Sequence, residues 1–187
     1  MEPQTIPETI TGIDTAISEE LFKLKTLLPL LEFEVICEFT IAENITEICG
    51  KAHAYPGIYF FEIKNMNQST DVSGWMQEFG AAWQHPDYHM QWVPGIKKGR
   101  IKKHLSIGEW VPLYIGKSRN VGNRINEHIL KELTKTTFAM KLKARKNLYG
   151  TKFKVNGLKL DVKNYDVIAP YLENLLRNQW NPIVGKQ

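Results

Sequence analysis

The sequence predicts an α+β fold: a small antiparallel or mixed central sheet flanked by helices, with a helical extension before it and a long insertion inside it. Segments rich in aromatic and β-branched residues, Tyr55–Ile63 and Val111–Ile115, read as strands, whereas residues 16–34, 120–133 and 168–180 carry apolar residues at helical spacing. The two kinds of segment do not alternate as regular strand–helix–strand units, which argues against a doubly wound parallel sheet.

Taken in order, the first dozen residues read as a loose tail. Ile17, Leu21, Leu24, Leu27, Leu28 and Leu31 then recur at helical intervals, with Ser18-Glu19-Glu20 near the start and Pro29 ending or bending the helix. A second short helix is expected over residues 42–51. Tyr55–Ile63, bounded by Pro56 and Asn65, is the first strand and Val111–Ile115 the second. Asn120 or Ser118 caps the helix of residues 120–133, whose Val121, Ile125 and Ile129 form an apolar line. The basic segment 134–148 is expected to be helical, and Lys152–Val162 alternates around Asn156-Gly157 as a hairpin would. The last helix runs from Ile168 to Trp180 and is closed by Asn181-Pro182.

Charge divides the chain. Residues 1–50 hold 2 basic and 10 acidic side chains, a net −8, and read as an acidic helical extension serving as a cap or a dimerisation arm. Residues 51–187 hold 22 basic and 10 acidic, a net +12, and form the main domain, with an insertion at about 65–110. That excess favours contacts with a polyanion, and nucleic acid leads a membrane or an acidic protein as partner. No run of 18 apolar residues exists, and the first 20 residues carry acids and prolines where a secretory signal needs a basic start and an apolar block. A cytoplasmic protein with no membrane segment is expected. Cys37 and Cys49, the only cysteines, make neither a disulfide framework nor a zinc site.

The chemistry-bearing residues lie close together. A strand ending at Tyr114-Ile115-Gly116 delivers a phenol to one sheet edge, and Lys117 follows immediately. Arg124 and His128 stand four apart on the next helix, so their side chains are neighbours beside the apolar line. Cations near a phenol lower its pKa, as a tyrosine acting as a general base near neutral pH requires. An arginine fork suits the extra charge of a phosphoryl transition state. Glu173 lies on the last helix four residues before Arg177, a spacing that also allows a simple ion pair worth about 0.2–0.5 kcal/mol.

The order Gly57-Ile58-Tyr59, Tyr114-Ile115-Gly116, Lys117, Arg124 and a late Glu173 resembles the GIY-YIG nuclease family over roughly residues 55–185. The resemblance implies a catalytic set of Tyr59, Tyr114, Lys117, Arg124, His128 and Glu173. One phenol, Tyr59 by preference with Tyr114 as partner, would take a proton from the attacking water, and Lys117 would hold the phenolate or the water. Arg124 would stabilise the pentacovalent phosphate. His128 matches a histidine of a subset that includes restriction enzymes, where it assists proton relay or contacts phosphate. Glu173 would hold a single Mg²⁺ (or Mn²⁺), whose Lewis acidity steadies the leaving 3′ oxygen.

The chain departs from that pattern in two places. Compact members keep the two motifs about ten residues apart, whereas 54 residues separate Tyr59 from Tyr114 here; such insertions occur among the family's restriction enzymes and tend to serve target recognition. Members also commonly carry an asparagine three residues after a late proline, where this chain has Gly185 after Pro182, with Asn178 and Asn181 as possible substitutes. Within the insertion, Lys97, Lys98, Arg100, Lys102 and Lys103 make a basic knot that Gly95 and Gly99 mark as a mobile loop. With Arg119, these cations are the candidate phosphate contacts, while Gln84, Gln91 or Arg100 would reach base edges. His85 and His89 are four apart, but Pro86 argues against a helix presenting both to a metal.

The expectation is therefore a Mg²⁺-dependent endonuclease acting on double-stranded DNA, in the manner of a type II restriction enzyme working as a homodimer when it cuts both strands. The alternatives are a structure-specific, repair or mobile-element nuclease of the same family, and a catalytically silent DNA-binding module that kept the fold.

Overall fold

The computed structural model describes residues 5–66 and 71–186, and its architecture is α+β. The helices are α1 (Ile6–Thr26), α2 (Val72–Trp83), α3 (Lys98–Ile101), α4 (Val121–Leu130) and α5 (Tyr165–Trp180). The strands are β1 (Glu34–Thr40), β2 (Gly57–Lys64), β3 (Gly95–Ile96), β4 (Trp110–Ser118), β5 (Lys152–Lys159) and β6 (Val184–Gly185). Four strands form one antiparallel sheet in the order β1-β5-β2-β4, and β3 pairs separately with β6.

Strand β2 is apolar on both sides because both faces of the sheet are covered. Tyr59, Phe61 and Ile63 join the larger core with Val121, Ile125 and Ile129 of α4 and with Trp75, Met76, Phe79 and Trp83 of α2. Ile58 and Phe60 face the other way, onto Leu172 and Leu176 of α5, where Leu24, Leu28, Leu31 and Phe33 close the cluster. Gly57 is required where β2 crosses β5, since a Cβ there would lie 2.2 Å from the Leu158 carbonyl oxygen.

A bulge in β4 sets the direction of a tyrosine. Phe61 pairs with Tyr114 and Glu62 with Pro112, so Leu113 is an extra residue. Leu113 and Tyr114, although consecutive, therefore both turn into the α4 side of the sheet.

Several expectations are corrected. From residue 5 onward the expected loose tail is helix: Thr5 and Glu8 form a reciprocal capping box, with Pro7 in the first turn, and α1 starts at Ile6, while residues 1–4 of that expectation lie outside the described residues. No helix forms over 42–51, and residues 34–40 are instead an edge strand in register with β5. Residue 50 is thus no domain boundary, because the extension completes the sheet. Residues 134–148 contain two single helical turns, 142–144 and 146–148, rather than a helix. Their backbone is held by buried cations. Lys141, left-handed at φ 57°, donates to the Leu133 carbonyl at 2.9 Å and to the Lys135 carbonyl. Arg145 donates to the carbonyls of Met140, Trp83 and Tyr88 and stacks 4.1 Å from the Trp83 ring.

The expected hairpin at Asn156-Gly157 is one uninterrupted strand. Asn156 pairs with Phe60, and Gly157 with Tyr59 on one side and Glu34 on the other. Two neighbours outweigh the local turn preference, and the absence of a Cβ at Gly157 admits Ile36 and the Tyr55 hydroxyl, which a Cβ would meet at 2.7 and 2.5 Å.

The insertion is not a separate arm either. Trp75, Phe79 and Trp83 stack in sequence within the core. The basic knot is the short helix α3, pinned by the pairing of β3 with β6 and by the Lys97 N–H to the Ile183 carbonyl at 2.8 Å. Among the described residues no helix is long and apolar enough to cross a membrane.

Candidate active site

Four separate elements deliver side chains to one cleft of about 380 Å³, lined by Tyr59, Tyr114, Gly116, Lys117, Arg124, Phe138, Glu173, Arg177 and Lys186. Tyr59 comes from β2, Tyr114, Gly116 and Lys117 from the end of β4, Arg124 from α4, and Glu173 with Arg177 from α5. The β2–β4 register makes this possible by setting Tyr59 opposite Gly116. A Cβ at Gly116 would fall 2.3 Å from the Tyr59 hydroxyl and 3.0 Å from the Tyr114 ring. The glycine thus lets the two phenols lie together, with ring centroids 6.1 Å apart and nearly parallel.

Helix α4 is fixed by its cap and its apolar line. Asn120 accepts from the Asn123 N–H at 3.0 Å, and Val121, Ile125 and Ile129 are fully buried. That rotation sends His128 inward, where it too is fully buried, and brings Arg124 to the cleft. Arg124 is steadied by Glu127 at 2.6 Å and by the Phe138 carbonyl, and its charge favours ionisation of Tyr59.

The protonation of this group follows from its hydrogen bonds. Burial, and secondarily the charge of Arg124, holds the His128 pKa well below 6.5, so the ring is neutral near pH 7. The Met140 N–H donates to Nδ1 at 3.1 Å, which leaves the single ring proton on Nε2. Nε2 then donates to the Tyr59 oxygen at 2.9 Å. Arg124 and Tyr114 lie close enough to Tyr59 to influence its ionisation, the guanidinium favouring the anion and the second phenol opposing it. His128 is therefore a donor to Tyr59 and has no free lone pair with which to take its proton.

Burial raises both phenol pKa values. It is the largest cause for each, augmented at Tyr59 by Tyr114, and the opposing cation Arg124 does not overcome it. This corrects the expectation that neighbouring cations bring a phenol below its usual range: desolvation outweighs them, and both side chains are neutral phenols near pH 7.

Among the described residues, Glu173 is the one carboxylate lining the cleft. Lys117 donates to its Oε2 at 2.7 Å, and Arg177 bonds its Oε1. A buried carboxylate suits a hydrated Mg²⁺, which prefers oxygen, keeps several waters and is commonly shared with a phosphate. The donor set fits such an ion provided that it displaces two cations from the same oxygens. No cluster of three His, Cys, Asp or Glu is present among the described residues.

The remaining candidates divide. Lys97 and Arg100 lie beside Gly185 and do not line the cleft, although each feels the charge of Arg177, and Arg100 that of Glu173 as well. Lys98, Lys102 and Lys103 are exposed on the outer side of the α3 turn. Arg119 is paired with Asp166 at 2.5 Å and lies over the Tyr165 ring. Gln84 and Gln91 are exposed and do not line the cleft. His85 caps the turn 86–88, with its ring 5.7 Å from Tyr88. Neither Asn178 nor Asn181 reaches the cleft: Asn178 is exposed, and Asn181 is the left-handed C-cap of α5. Gly185 is held in the β3–β6 pair beside Lys97 and Arg100. Cys37 and Cys49 are free thiols, the second buried.

Sequence reasoning missed Glu127, Phe138 and Lys186. The spacing of Glu127 three residues after Arg124 was the available signal, whereas Phe138 and Lys186 arrive through irregular segments that carry no periodicity. The chain matches no family model, no curated protein and no solved structure.

Proposed function

We propose that the protein is a Mg²⁺-dependent endonuclease of the GIY-YIG kind, hydrolysing phosphodiesters of double-stranded DNA in the cytoplasm as a restriction enzyme does. The observation that carries this reading is the convergence of two stacked phenols, a guanidinium, an ammonium and a carboxylate on one cleft, from segments as far apart as residues 59 and 173. Such a set supplies a proton acceptor, charge stabilisation for a phosphoryl transition state and one hard-metal ligand. The cations that line the cleft, Lys117, Arg124, Arg177 and Lys186, suit the DNA backbone.

In the minority of molecules in which Tyr59 is ionised, its anion is held by the donor His128 and by the charge of Arg124. The Tyr114 hydroxyl then turns to donate to Tyr59, and its oxygen accepts the proton of the attacking water. The water oxygen bonds to phosphorus as the 3′ oxygen leaves, and Tyr59 ends neutral. Glu173 would hold a divalent ion, which when bound would supply Lewis acidity toward the leaving oxygen, and Lys117 and Arg177 would then be free to bond phosphate oxygens.

A second reading, a silent DNA-binding module, is favoured by the occupation of both Glu173 oxygens by cations and by Gly185 in place of the usual asparagine. Incubating plasmid with the protein and Mg²⁺ separates the two. The nuclease reading expects discrete fragments, a loss of about 10²- to 10³-fold in rate for Arg124→Ala, and none cut by Glu173→Ala. DNA binding with no cleavage by the wild-type chain would favour the silent module.

A further inference from the structure

Helix α1 has 21 residues and none of them is buried. Its apolar line has two different fates. Leu24 near its C-terminal end, with Leu28, Leu31 and Phe33 beyond it, packs against the cluster under α5. Further toward the N-terminus the same line continues as Ile17, Ile13, Ile10 and Ile6, exposed by 46, 56, 61 and 77 % in that order. The steady rise describes a helix that leaves the body and carries a bare isoleucine stripe with it.

We infer that this stripe is a self-association surface, paired antiparallel with α1 of a second copy of the chain. The spacing 4-3-4 of the isoleucines is that of a coiled-coil seam. Antiparallel pairing about a two-fold axis near Thr11 and Gly12 sets Ile6 against Ile17 and Ile10 against Ile13 in each direction, so all four layers are filled by isoleucine. The neighbouring positions agree: Thr9 and Ala16 flank one side of the seam and are small, which allows close approach.

Charge selects this occupant and this direction. Asp14 borders the seam on the other side, and antiparallel pairing brings it beside the first turn of the second helix, the partially positive end of the helix dipole. Glu8 does not compete for that place, because it lies on the far side and is tied to Thr5 in the capping box. Parallel pairing would instead bring together the two bodies of residues 27–187, each with 22 basic and 15 acidic side chains. The antiparallel arrangement carries these like-charged bodies to opposite ends of the helix pair. A symmetric pair of clefts facing one DNA duplex is compatible with it, but the inference stands on the stripe and holds whether or not the cleft is catalytic.

Sedimentation equilibrium of the full chain tests it. A reversible dimer is expected, with Ile10→Asp/Ile13→Asp weakening association at least tenfold and Ile10→Leu retaining it; circular dichroism should show both variants folded, since these positions contribute nothing to the core. Direction is read by mild oxidation. A mixture of Ile6→Cys and Ile17→Cys chains should cross-link to each other more readily than Ile6→Cys does to itself, with the wild-type chain as control for Cys37 and Cys49. A wild-type chain that stays monomeric, a dimer untouched by the double aspartate variant, or preferential Ile6→Cys self-linking would overturn the inference.

Discussion

The proton inventory around His128 decides how the two tyrosines behave. With Nδ1 fixed by the Met140 N–H and Nε2 donating to Tyr59, the histidine stabilises an anion on Tyr59 and does not accept its proton. Its burial also links folding to pH. In the unfolded chain the ring takes a proton below about pH 6.5, while in the folded chain its pKa lies well below that value. Stability contributed by this site is therefore complete above about pH 6.5 and is lost as pH falls, at up to about 1.4 kcal/mol per pH unit. Urea titrations between pH 5 and 7 should show that slope in the wild-type chain and a smaller one in His128→Gln, with equal slopes contradicting the buried neutral ring. Glu173 gives a second residue-scale expectation. Because Arg177 and Lys117 occupy its oxygens, Arg177→Gln should raise the affinity of the free protein for Mn²⁺ several-fold, measured by calorimetry without DNA; an unchanged affinity would mean that the metal does not compete for this carboxylate.

At the scale of elements, the sheet explains which parts of the chain are dispensable. The N-terminal half of α1 buries nothing, whereas β1 supplies an edge strand to β5 and the Leu24–Phe33 segment covers the α5 face. Deleting residues 1–20 should leave the melting temperature within a few degrees, and deleting residues 1–50 should abolish cooperative unfolding, both read by calorimetry. A cooperative melt in the shorter chain would show that β1 is an accessory. The same elements mark where sequence pattern sufficed. Strands β2 and β4, helix α4 with its Asn120 cap, and helix α5 with its Asn181 end were legible, because local preference and burial point the same way there. Residues 34–40 and Asn156-Gly157 were not, since their conformation is imposed by neighbours distant in sequence, and a strand between two others overrides a turn signal. Helix α1 was legible at its seated end only; the capping box at Thr5 and Glu8 was the overlooked signal for its start.

For the whole molecule, the notable feature is that charge and topology converge. An acidic extension and a basic body share one sheet, and cations of the body gather round the cleft from β4, α4, α5 and Lys186. The grouping of Tyr59, Tyr114, Lys117, Arg124 and Glu173 was legible from motif order alone, and the placement of Lys97 and Arg100 beside Gly185 was not, because it depends on β3 meeting β6. The reason both phenols stay protonated was hidden as well, since burial is a property of the assembled core. That property has a kinetic consequence: with raised phenol pKa values the reactive phenolate grows with pH, so a hydrolysis rate limited by it should climb steadily from pH 6 to 9 instead of peaking near the pKa of histidine. The most direct measurement of the central proposal is sequencing of the DNA ends produced from a mixed double-stranded substrate with Mg²⁺, by the wild-type chain and by Glu173→Ala. The account predicts new ends at a defined sequence from the wild-type chain and none from the variant; intact DNA in both, or the same ends in both, would contradict it.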